Sequence, residues 1–341
     1  MLILAALLAI HLQPVSPAGP NRQPQLAVAG GTVAMVFGSG EGIWLARSTD
    51  NGRTFGAAAK IADLPKLLLG RHRGPRIAIS GNAMVVSAIA SEPGDLMAWR
   101  STDAGRTWSS PVAVNDVAKA AREGLHAMAG DGEGHMAAVW LDDRVGPRGK
   151  RLWGAFSNDG GATWSKNAML YESPGGTICE CCHPSLASVG GGEFVVMWRN
   201  ALEGSRDLYT MRLKDGKPVT QAQRQGTGTW KLEACPMDGG GLVVRNGQIS
   251  SAWRREKDVY LAAAGKPEQR LATGQDVALG ANDQGLYIAW STPQGVMLQQ
   301  PGAPQPAKLS DAGGFPAIVA MPDGAMLVAW EENGSISVAR L

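Results

Sequence analysis

One short pattern recurs seven times along this chain: a glycine, a few mostly apolar residues, then usually a tryptophan. It reads GTVAMVF to Phe37, GNAMVVS to Ser87, GHMAAVW to Trp140, GEFVVMW to Trp198, GQISSAW to Trp253, GLYIAW to Trp290 and GAMLVAW to Trp330. The spacings are 50, 53, 58, 55, 37 and 40 residues. Repetition at such a period marks units that cannot bury an apolar face alone and therefore stack on their neighbours. Each copy follows a shorter strand-like run, such as PRIAIS or PSLASV, and precedes another, such as GIWLARS or DLYTMRL. A fourth, more polar run usually closes the unit. Four short strands per unit predict an all-β fold, a β-propeller of four-stranded blades. Seven repeats predict seven blades. Only NDVAKAAREGL has a helical period, and it reads as a short turn of helix. The last unit ends at Leu341 after its third strand, so its outer strand is expected from the N-terminal residues that follow signal-peptide cleavage, closing the ring.

The 45 glycines and 20 prolines fall between the apolar runs, where they read as turns rather than disorder. A net charge of +2, with no basic run, excludes nucleic acid as a partner. The apolar start MLILAALLAI is too short to span a bilayer, so no membrane span is expected. With Ser16 and Ala18 behind it, it reads as a signal peptide over 1–18, leaving one propeller domain over 19–341. The other reading of the same residues is a buried N-terminal strand. Export would place the protein in the periplasm or outside the cell, where disulfides form. A monomer is expected.

Three units share a second signature: STDNGRTF from Ser48, STDAGRTW from Ser101 and SNDGGATW from Ser157. The LKDGKPV segment around Asp215 looks like a worn fourth copy. S-x-D-x-G-x-T-W resembles the Asp box, or BNR repeat, of the sialidase (neuraminidase) superfamily. The expected role is a hairpin staple. The Asp accepts from turn amides, the Gly takes a positive φ, and the aromatic packs beneath. Asp50, Asp103 and Asp159 are therefore read as structural. The resemblance implies a six-bladed ring as the alternative to seven. It also implies three arginines on a substrate carboxylate, a Tyr nucleophile assisted by Glu, and an Asp acid/base. None of Tyr171, Tyr209, Tyr260 and Tyr287 has the expected nucleophile context, and HRGPR at 72–76 only loosely echoes the family's early [FY]RIP motif.

In a propeller the strand 2–3 loops and the connections between blades open on one face, and the Asp boxes mark the other. Nearly all clustered Arg, His, Cys and acidic residues sort to the first face, where function is expected. Arg73, Arg76, Arg144, Arg199, Arg206 and Arg254 are the candidates for an anionic glycan or another small anion, since guanidinium binds carboxylates bidentately. Asp142, Asp143, Asp238 and Glu123 are the acid/base candidates. The expected function is a sialidase-like exported propeller, a glycoside hydrolase or binder of an anionic glycan.

Three of the four cysteines fall in CECCHP, residues 179–184, and the fourth in ACPMD. Both segments are front-face connections of adjacent blades, so they can meet. A disulfide from Cys235 to Cys179, Cys181 or Cys182 is one reading. A soft-metal site for copper or zinc, with His183 or Met237 as an added ligand, is the other. The propeller itself requires no cofactor. A non-catalytic propeller using this cluster for a metal or a partner is the competing functional class.

Overall fold

The computed structural model describes residues 9–15, 19–146 and 149–341. Among them the regular structure is all β, arranged as seven antiparallel sheets. Each recurring apolar segment forms the second strand of its sheet. Phe37 and Ser87 occupy the positions that Trp140, Trp198, Trp253, Trp290 and Trp330 occupy in the other five. Innermost strands touch in cyclic order: 21–29, 76–80, 126–130, 185–190, 241–245, 275–282, 314–320 and back to the first. The molecule is a seven-bladed β-propeller, blades I to VII in chain order.

The blades are held by apolar cores between neighbours rather than within one sheet. Val85 of blade II packs with Met136 and Ala138 of blade III, and Val33 and Met35 of blade I with Leu327 and Ala329 of blade VII. The thinnest such core lies between blades IV and V: Met197, Leu208 and Trp253.

Blade VII closes the ring. Its outer strand is Ile10–Leu12, antiparallel to Ser335–Arg340, with His11 Nδ1 2.8 Å from Ser337 Oγ. The strand therefore lies within residues 1–18, not behind them as expected. The expected cleavage point at Ala18 and residues 1–8 lie outside the described residues.

The three Asp boxes are strand 3–4 turns with one shared geometry. Ser48 Oγ donates to Asp50 Oδ1 at 2.7 Å and accepts from the Gly52 amide at 2.9 Å. Asp50 also accepts from the Thr54 amide and hydroxyl at 2.9 and 2.6 Å. Ser101–Asp103–Thr107 and Ser157–Asp159–Thr163 repeat the set. These donors hold the Asp159 carboxyl down at about 2. Each box also grips the blade before it. Arg340, Arg47 and Arg100 donate to the carbonyls of Asn51, Ala104 and Gly160 in the next blade's turn. At Asp215 the worn copy is a two-residue turn with positive φ at Asp215 and Gly216, packed on Phe156 where the other blades place arginine.

The expected helix at 115–125 is absent; the segment is a run of turns. Asp95 Oδ1 takes the Lys119 amide at 2.6 Å, and Asn115 Oδ1 takes the Leu96 amide at 2.7 Å. Side chains that satisfy backbone donors locally compete with the helix.

Candidate functional site

Strand 2–3 turns of blades V, VI and VII and the connections entering blades VI, VII and I wall a front-face cleft of about 600 Å³. Its polar lining includes Arg22, Arg254, Gln275, Asp276, Ser291 and Glu331, with Phe315 as the aromatic wall. Three of the entering strands break register at the same place, between Arg22 and Gln25, Gln275 and Ala278, and Gly314 and Ala317. At each break a non-glycine residue takes a left-handed conformation: Gln23 at φ 56°, Asp276 at 53° and Phe315 at 53°. Bulges of this kind re-aim a side chain, and non-glycine residues held there are strained.

Glu331 follows Trp330 on the second strand of blade VII. Its Oε1 accepts the Gln23 amide at 2.8 Å and the Gln23 side-chain NH₂ at 2.9 Å, and Arg22 Nε stands 3.7 Å from its Oε2. Burial dominates these contacts and raises its pKa above the ordinary glutamate value. Asp276 is paired instead: His72 Nε2 lies 2.9 Å from its Oδ1. Two carboxyls in unlike surroundings on one cleft are the equipment of acid/base cleavage. Arg254 and Lys257 are the cleft cations without a carboxylate pair among the described residues. Arg254 stands over the Trp230 ring at 5.4 Å and reaches Gln275 at 3.4 Å.

Behind the cleft the axial channel, about 260 Å³, is lined by the inner strands of all seven blades. His72 and His183 stack across its mouth with ring centroids 4.0 Å apart. His183 accepts from the Gly239 amide through Nδ1 and reaches the Gly240 carbonyl through Nε2, both at 3.2 Å. Burial, then the nearby His72 and Arg76 charges, keeps this imidazole neutral well below its ordinary pKa. A Cβ on Gly239 would fall 1.8 Å from the His183 carbonyl oxygen, so only glycine allows the two connections to touch.

The other expected arginines do not converge with Arg254 on one ligand pocket. Arg199 is 1 % exposed, and its guanidinium donates to three carbonyls: Asp238 at 2.9 Å, Arg206 at 2.6 Å and Arg254 at 3.0 Å. Arg76 is likewise caged by the carbonyls of His126, Pro75, Gly74 and His72, with burial lowering it to about 10. Arg144 forms a bidentate pair with Asp142 at 2.9 Å and stacks on Trp153. Arg73 donates to the Glu123 carbonyl. Arg206 lies beside Cys179, its buried Nε without a partner.

The acid/base candidates from sequence are engaged elsewhere. Asp142 accepts Trp140 Nε1 at 2.8 Å besides Arg144. Asp143 and Glu123 share Lys150, at 3.2 Å each, and Asp143 also meets Arg122 at 3.0 Å. Asp238 is buried and accepts the Asp276 amide at 2.9 Å, so it shapes the cleft from beneath. Glu331, Asp276, His72 and Arg22 were not anticipated. Glu331 had a usable signal: it is the residue after the repeated tryptophan, as Arg199 and Arg254 are.

Cys181 and Cys235 form a disulfide, Cα–Cα 6.1 Å, between the connections entering blades IV and V. Cys179 and Cys182 are free, buried thiols with sulfurs 3.0 Å apart, and Met237 packs against them. His183 is engaged on backbone groups through both ring nitrogens.

No family model matches the chain, and no curated protein does. Solved structures do. The chain is similar to the Hadza microbial sialidase Hz136 (TM-score 0.55, 15% identity, 94% of this chain and 65% of that one). It is similar to polysaccharide lyase Uly1 (0.59, 12%, 96% and 90%) and to the hydrazine synthase of Kuenenia stuttgartiensis (0.59, 11%, 100% and 99%). The chain spans about two thirds of the sialidase's length. At these identities the likeness establishes the fold, a β-propeller, and leaves the chemistry to the site.

Proposed function

We propose that this is an exported glycan-directed propeller that binds an anionic glycan in the cleft of blades V to VII and cleaves it with Glu331 as proton donor. Arg254 would meet the carboxylate of the sugar, with Arg22 at the opposite rim. The observation that carries the reading is Glu331. It is a carboxyl whose pKa burial raises above the ordinary glutamate value, on a cleft where Asp276 is paired with a histidine. A sialidase and a polysaccharide lyase among the similar structures support a glycan as the ligand class. No tyrosine lines the cleft among the described residues, which favours carboxyl chemistry over a tyrosine nucleophile. The Cys181–Cys235 disulfide suits the oxidising compartments that export would reach.

A screen of chromogenic sialosides and uronides tests this. Turnover that falls at least about 100-fold in Glu331→Gln, with KM little changed, is the expected result. Turnover equal in wild type and Glu331→Gln would remove Glu331 from the chemistry.

A further inference from the structure

The sulfur cluster at the blade IV–V interface has no part in the glycan reading. We propose that Cys179, Cys182 and Met237 form a copper(I) site. The structure reduces six candidate ligands to three. Cys181 and Cys235 are spent on each other as a disulfide. Both nitrogens of His183 are engaged with the Gly239 amide and the Gly240 carbonyl. Two thiols remain with Sγ atoms 3.0 Å apart, 2 % and 1 % exposed, and one thioether packed against them.

Three soft sulfur donors in a dry pocket suit copper(I), which accepts thiolate and thioether ligands. Zinc wants four donors, at least some of them nitrogen, oxygen or thiolate, and a fourth is missing here. The surroundings fit the charge that results. A copper(I) bis-thiolate carries one negative charge, and Arg206, on the loop between strands 2 and 3 of blade IV, keeps a buried Nε with no partner. Met237 itself is held at φ 60°, an uncommon conformation for methionine. No redox step is involved: copper enters and stays as copper(I), and the protons of the two thiols leave to solvent.

The test uses the full chain prepared without oxygen. Thiol counting under denaturing conditions should find two free thiols. Copper(I) is then titrated against a chromogenic copper(I) chelator, with zinc as comparator. One copper(I) per chain is expected, with no zinc retained, and X-ray absorption should show sulfur alone around the metal. Cys179→Ser and Cys182→Ser should each weaken copper(I) by about 100-fold or more, and Met237→Leu, which keeps the packing volume, by about 10-fold. The proposal is overturned by a chain with two free thiols that takes up no copper(I). It is overturned equally by affinity that survives Met237→Leu and both serine variants, by nitrogen or oxygen ligands in the absorption spectrum, or by Cys179 and Cys182 emerging as a second disulfide.

Discussion

Glu331 and Arg199 hold the same position in their blades, one residue past the repeated tryptophan, yet they end in different roles. Neighbouring loops decide this. Around Arg199, the carbonyls of Asp238, Arg206 and Arg254 each take one guanidinium nitrogen, and nothing in the sequence announces that cage. Arg199→Ala should therefore cost more than about 2 kcal/mol of stability, because buried carbonyls lose charged donors. An anionic ligand should still bind within about tenfold of wild type, a result read from melting and binding curves on the same preparation. For Glu331 the folded-state pKa is raised. Its protonated form contributes stability fully below the unfolded value, and that contribution is lost as pH rises through the folded value. Glu331→Gln should remove this loss, so its melting temperature should fall less than that of wild type as pH is raised above the ordinary glutamate range. Parallel profiles would mean the carboxyl is not held protonated.

Strands were the legible elements, because the Gly–apolar–Trp period and the box signature are local patterns that set local structure. The bulges at Gln23, Asp276 and Phe315 were not legible, since a register break depends on what the strand meets at the ring's mouth. Hence the fold could be read from sequence while the cleft could not. The boxes also act between blades, beyond the turn they close. Gly161 sits at φ +77°, and a Cβ there would lie 2.4 Å from Val85 Cγ2 of blade II. Gly161→Ala should destabilise by at least about 1–2 kcal/mol through backbone strain, before any clash is counted. Chemical denaturation measures it. An unchanged midpoint would show that the turn can move away from blade II.

Across the whole ring, the covalent closure falls where packing is thin. The Cys181–Cys235 disulfide bridges blades IV and V, whose shared apolar core is the smallest. It closes 54 residues, for which chain entropy gives about 4 kcal/mol. A Cys181→Ser/Cys235→Ser double variant should unfold at markedly lower denaturant, and an unchanged midpoint would mean the bond is idle. At the other closure, Ile10–Leu12 completes blade VII. A chain starting at residue 19 should melt several degrees lower than the full chain, since three strand pairings and the His11–Ser337 contact are lost. Equal melting temperatures would show that the outer strand is dispensable to the ring.

The central claim is that the ligand site is the cleft of blades V to VII, with Arg254 as its anion-binding group. The most direct measurement is a calorimetric titration of sialosides and uronides into wild type, Arg254→Ala and Arg254→Lys. A ligand that binds wild type should weaken by about 10- to 100-fold in the alanine variant, the worth of a charged hydrogen bond, and recover only in part with lysine. Equal affinity for that ligand in all three proteins would contradict the account.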